Sequence, residues 1–125
     1  MSEIVNLNKF RKALAKKAQP PVPDKLSFVT KGKPSGTGFN YWNVKPTGSH
    51  EADCETGKAL ADEYLAFIGA HPTFGNATLL TCIVRDMIDQ AKAGASWSGL
   101  HLGFLQRINC FAMAMAVRQS IGSTG

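Results

Sequence analysis

Apolar positions along this chain change their spacing near residue 49, and the change predicts the architecture. Before that point only residues 3–19 (EIVNLNKFRKALAKKAQ) carry a helical pattern. Leu7, Phe10 and Leu14 form one stripe, and Lys9, Arg11, Lys12, Lys16 and Lys17 surround it. Pro20 and Pro21 end this helix, and Pro23 keeps the following residues extended. Residues 26–30 (LSFVT) and 39–44 (FNYWNV) have the β-branched and aromatic content of strands, joined by the turn-rich KGKPSGTG. A lone two-stranded ribbon is marginal in water, so this one must lean on helices or on another chain.

After Ser49 the period becomes helical. Ser49 or Thr47 caps a helix whose first turn carries Glu51, Asp53 and Glu55, the charge that suits its positive end. Its apolar stripe is Gly57, Leu60, Ala61, Tyr64, Leu65, Phe67 and Ile68, and Gly69 and Pro72 stop it. Asn76 is expected to cap the next helix. There Leu79, Leu80, Ile83, Val84, Met87 and Ile88 form the inner face, opposite Arg85, Asp86, Asp89 and Gln90, and Gly94 ends it. The last helix starts near Ser98 or Leu102 and runs to about Ile121. Leu105, Ile108, Phe111, Ala112 and Met115 lie on one face, while Met113, Ala114 and Val117 make the other side apolar too. A helix apolar around most of its circumference is central in a fold or shared with a second copy. The expected core is Phe67, Ile68, Leu80, Ile83, Val84, Met87, Phe104, Leu105, Ile108 and Phe111.

The fold class that follows is mainly α with a minor β part: a basic N-terminal helix, a short β-hairpin, then a three-helix bundle. Residues 1–19 form an arm, 20–48 a Pro/Gly-rich linker holding the hairpin, and 49–125 the helical core. Charge sharpens this division. Residues 1–45 hold nine Lys/Arg against two acids, a net of +7, and residues 46–125 hold five against seven, a net of −2. Such segregation favours an interaction arm on a near-neutral body over a uniformly basic enzyme. A 44% hydrophobic fraction with 18% charged residues is too apolar for a disordered chain. Asn6, Asn8, Lys9, Arg11 and Lys12 interrupt any signal-peptide pattern, and the longest apolar run, Cys110 to Val117, is far short of a membrane span. Cys54, Cys82 and Cys110 contain no C-x-x-C pair, and reduced thiols in a cytoplasm are the expectation.

The chemical motifs are sparse. The Lys31 to Gly38 loop lacks the GK[ST] of a phosphate-binding loop and leads into a strand, so it reads as a hairpin tip. Phe28, Phe39, Tyr41 and Trp42 lie beside Lys25, Lys31, Lys33 and Lys45. That interleaving of rings and cations suits single-stranded nucleic acid, although strand alternation sends either the Phe39/Tyr41 pair or the Trp42/Val44 pair into the core. His50 and Cys54 share a helix face at i, i+4, but no third metal ligand is evident beyond His71 or His101, which sit near helix boundaries, and the cluster reads as an acidic first turn. Cys82 and Cys110 sit in apolar surroundings and read as inert packing thiols. No nucleophile elbow is present. The helix of residues 76–93 has a neutral outer face, unsuited to reading DNA. The opening IVNLNKFRKALAKKA resembles the starts of many small uncharacterised bacterial proteins and implies no activity.

Sequence therefore points to a small non-enzymatic bacterial interaction or adaptor module, cytoplasmic and homo-oligomeric, with no metal or cofactor. It would dock on a protein partner through its basic first third, at Lys9, Arg11, Lys12, Lys16, Lys17, Lys31, Lys33, Tyr41 and Trp42. Met113, Ala114 and Val117 would form the oligomer interface. The alternative is a nucleic-acid-associated accessory protein that binds phosphates with the same helix and hairpin.

Overall fold

The computed structural model describes residues 23–32 and 38–124. The expected basic helix over residues 3–19, with Lys9, Arg11, Lys12, Lys16 and Lys17, lies outside the described residues, as does Lys33. After a single 3-10 turn, Pro23–Lys25, come β1 (Thr30–Lys31) and β2 (Phe39–Asn40). These precede α1 (His50–Ala70), a 3-10 turn Asn76–Thr78, α2 (Leu79–Lys92) and α3 (Gly99–Thr124). The molecule is mostly helical, with one antiparallel hairpin, as the pattern predicts.

Helix boundaries follow local chemistry. Ser49 has extended backbone and its Oγ accepts from the Ala52 N–H at 3.3 Å, which satisfies one orphan donor of α1. Gly94, at φ +111°, turns the chain out of α2 in a conformation that costs a glycine little. Asn76 behaves differently from its expected role as a cap. It is buried, its N–H donates to Thr73 Oγ at 3.1 Å, and its Nδ2 donates to the His71 carbonyl at 2.8 Å. Asn76 thus ties the end of α1 to the turn that leads into α2.

The hairpin is shorter than the two expected strands because each strand pairs over two residues only, Thr30 with Asn40 and Lys31 with Phe39. Around these pairs its backbone is held by side chains from the helices. Glu63 of α1 accepts from Ser27 N–H and Oγ, both at 2.6 Å, and Asp86 of α2 accepts from Tyr41 N–H at 2.8 Å. Gln90 Nε2 donates to the Trp42 carbonyl at 2.6 Å. Asp86 and Gln90, assigned by periodicity to the solvent side of α2, are buried and half-buried respectively because the hairpin covers that side.

The described residues around the hairpin contribute to the core. Leu26, Phe28, Val29 and Trp42 are buried in one cluster with Ala61, Tyr64, Leu79, Ile83, Met87, Leu100 and Phe104. Phe28, Trp42 and Phe104 meet edge to face, with ring centroids 5.1–5.7 Å apart. Phe67, Ile68, Leu80, Val84, Leu105 and Ile108 pack against this cluster at its margin. Phe111, expected in the core, is 47% exposed, because the cluster ends one turn before it.

Helices α1 and α3 run side by side in the same direction. Gly99 lies against His50, Gly103 against Cys54, and Gly57 against Leu100 and Phe104, and Arg107 pairs with Asp62 at 3.4 Å further along. At each of the three glycines an added Cβ would stand closer than 3.0 Å to a backbone oxygen of the neighbouring helix. The backbones therefore approach as closely as small residues permit. Gly103→Ala is expected to destabilise by about 1–3 kcal/mol through overpacking. Gly69→Ala, where nothing lies within 4 Å, should be neutral or stabilising by about 0.5–1 kcal/mol. Thermal melts by circular dichroism compare the two, and equal melting temperatures would contradict the close contact.

Candidate interaction surface

α3 is built of alanine, methionine, leucine and glutamine, all good helix formers, and it continues well beyond the residues that anchor it. Its first part is held: Gly99, Leu100, His101, Gly103 and Phe104 are buried. From Asn109 to Ile121 every residue is exposed except the half-buried Met115. Phe111, Met113, Val117 and Ile121 are 47%, 59%, 57% and 66% exposed. Of the residues expected at an oligomer interface, Met113, Ala114 and Val117 all lie on this surface.

Two stripes cross it. Phe104, Ile108, Phe111 and Met115 carry the core face onward. Gly103, Cys110, Ala114, Val117 and Ile121 repeat at intervals of seven, four, three and four, so they share a second face. That second stripe begins at Gly103, beneath α1, and emerges into solvent. Cys110, expected as a packing thiol, is exposed for this reason.

By length and composition Gly99–Ile121 is apolar enough to cross a membrane. Its first part, however, is packed into the body. What remains outside, Asn109–Ile121, is about 20 Å long at 1.5 Å per residue, against a hydrocarbon core of about 30 Å. It also carries Asn109, Arg118, Gln119 and Ser120. The exposed stretch is too short to span.

The basic and aromatic residues of the hairpin separate. The Lys31 side chain is 76% exposed and lies 3.9 Å from Asp24. Tyr41 is half-buried, and Trp42, only 1% exposed, is a central core residue whose ring faces no solvent. The alternation of the second strand predicts two faces, and the structure selects Trp42 as the inner one. Leu80 and Val84, at the margin of the core, also line a groove along α2 with the exposed Ile88, Arg85, Asp89 and Lys92.

Two histidines have defined settings. His50 Nε2 lies 3.5 Å from Cys54 Sγ, the i, i+4 pair expected from sequence. Among the described residues no group of three or more His, Cys, Asp or Glu is placed to hold a metal ion. His101, weighed from sequence only as a remote metal ligand, is 7% exposed, and its ring lies 4.4 Å from that of Trp97 and 5.4 Å from that of Trp42. Its Nδ1 accepts from the Ser98 N–H at 3.0 Å, at the start of α3. Burial is the main cause that holds its imidazole below the ordinary histidine value.

Comparison of the chain with protein-family models, with curated proteins and with solved structures gives no match, so the reading of this surface rests on its own geometry.

His101 yields a pH prediction. Its folded-state pKa lies below that of the unfolded chain, near 6.5, so the unfolded state binds more protons as pH falls through that value. Stability should therefore decline below about pH 6.5 and level off once the folded state also titrates. Melting temperatures at pH 5 to 8 for the wild type and His101→Asn test this. A wild-type pH slope that the variant retains in full would contradict the assignment.

Proposed function

We propose that this chain is a small non-enzymatic interaction module of the bacterial cytoplasm. It self-associates through the distal half of α3 and docks on a protein partner through its basic first third. The observation that carries the self-association is the exposure of Phe111, Met113, Val117 and Ile121 on one continuous helix. Contiguous apolar surface of this kind is rare on monomers and is characteristic of interaction sites. The segregation of charge, +7 in residues 1–45 against −2 in the rest, supports the arm as the element that meets the partner.

Light scattering over a concentration series tests the self-association. The wild type is expected as an oligomer at high micromolar concentration. Val117→Lys, which places a cation in the stripe at an exposed position, should shift it to monomer with its helical circular dichroism unchanged. A wild type that stays monomeric at every concentration removes the reading. For the arm, binding to single- or double-stranded oligonucleotides that weakens steeply with salt would favour the nucleic-acid alternative over a protein partner.

A further inference from the structure

We propose that the surface covering the distal α3 stripe is the same stripe of a second copy, laid antiparallel. Cys110 is then level with Ile121 of the other helix, and Ala114 with Val117. The inference rests on the self-association proposed above and adds the identity, direction and register of the partner helix.

Spacing supports a helical occupant. Cys110, Ala114, Val117 and Ile121 alternate steps of four and three, the seam spacing of two helices that wind around each other. Alanine at the centre of the seam allows close approach. Pairing one such seam with itself about a two-fold axis makes every contact twice, residue i on j and j on i.

Charge narrows the occupant. α3 contains no carboxylate from Gly99 to Thr124, and its charged residues are Arg107 and Arg118. The chain's own first nineteen residues, which include Lys9, Arg11, Lys12, Lys16 and Lys17, would bring five cations to this acid-free helix. A second α3 brings only two, and its direction decides where they lie. In a parallel pair equal residues are level, so Arg118 meets Arg118, whereas Arg107 is already paired with Asp62 of its own copy. In the antiparallel register Arg118 is level with Met113, and Arg107 with Thr124 in the last turn, where the helix dipole favours a cation.

Packing favours the antiparallel pair on separate grounds. α1 already occupies the upstream part of the stripe, at Gly99 and Gly103, and runs in the same direction as α3. A parallel partner would bring its own α1 and core to the end where these already stand. An antiparallel partner places the two bodies at opposite ends of the shared helix pair.

Cross-linking with a short bis-maleimide, followed by mass mapping of the linked peptides, tests the register. In the antiparallel pair two Cys110 thiols are eleven residues apart along the axis, about 16 Å, beyond the reach of a short linker. The wild type should give no Cys110–Cys110 link, whereas Ile121→Cys should give a dimer linked between position 121 and Cys110 of the other copy. A Cys110–Cys110 link in the wild type would overturn the antiparallel register. An oligomer by light scattering in which Ile121→Cys gives no such link would overturn it as well. Both of those outcomes leave the self-association standing, while a wild type monomeric by light scattering removes it along with the register.

Discussion

Three glycines, Gly57, Gly99 and Gly103, set how closely α1 and α3 approach, and the rest of the molecule is arranged around that distance. Because the backbones touch where the glycines stand, neither helix buries a large side chain at that line. The bulk comes instead from residues beside it: Leu100 and Phe104 on α3, Ala61 and Tyr64 on α1, and Phe28 and Trp42 from the hairpin. The same line explains why the two halves of α3 differ so sharply. The first half is fixed by backbone contact, with no slack for the helix to tilt inward. The second half, at one helical rise per residue, leaves the small body and carries its apolar residues into solvent.

The hairpin fits this frame by an exchange of hydrogen-bonding partners. A regular sheet would satisfy its backbone through neighbouring strands, and here two residue pairs do so. The Asn43 N–H on the Phe28 carbonyl and the Gly32 N–H on the Gly38 carbonyl extend that pairing, and Glu63, Asp86 and Gln90 add partners from the helices. Buried polar groups are tolerated when they are paired, and among the described residues no buried side-chain nitrogen or oxygen lacks a partner. Polar side chains on the inner side of α1 and α2 are thus part of the packing, and they fix the register of Phe28 and Trp42 over Phe104.

These two features mark the boundary of what sequence could reveal. Helix ends were legible because caps act locally: Ser49 and Gly94 needed no neighbour to be recognised. The hydrophobic period correctly placed Ile83, Met87 and Phe104 in the core. It failed at Phe111, because a period continues along a helix whether or not another element is there to cover it. It also assigned Asp86 and Gln90 to solvent, since a carboxylate or amide looks the same in sequence whether it faces water or a backbone N–H. Gly103 carried no signal of its own, because a helical glycine becomes meaningful only when the opposing backbone is known. For the interaction surface, the excess of apolar residues on α3 was visible in advance through Met113, Ala114 and Val117. The seam that continues from Gly103 was not, since it depends on where α1 lies.

The pinning of the hairpin also sets the order of events when the chain is made. Its anchors lie 36 to 50 residues downstream, and the ring that Phe28 and Trp42 share, Phe104, lies 76 residues beyond Phe28. Contacts of such separation form late, after local helices exist to receive them. At a synthesis rate of about 5–20 residues per second, Phe28 waits roughly 4–15 seconds, and Trp42 roughly 3–12 seconds, before Phe104 is made. Throughout that interval a nascent chain displays two large aromatic side chains with nothing to bury them. The hairpin thus depends for its packing on helices made after it.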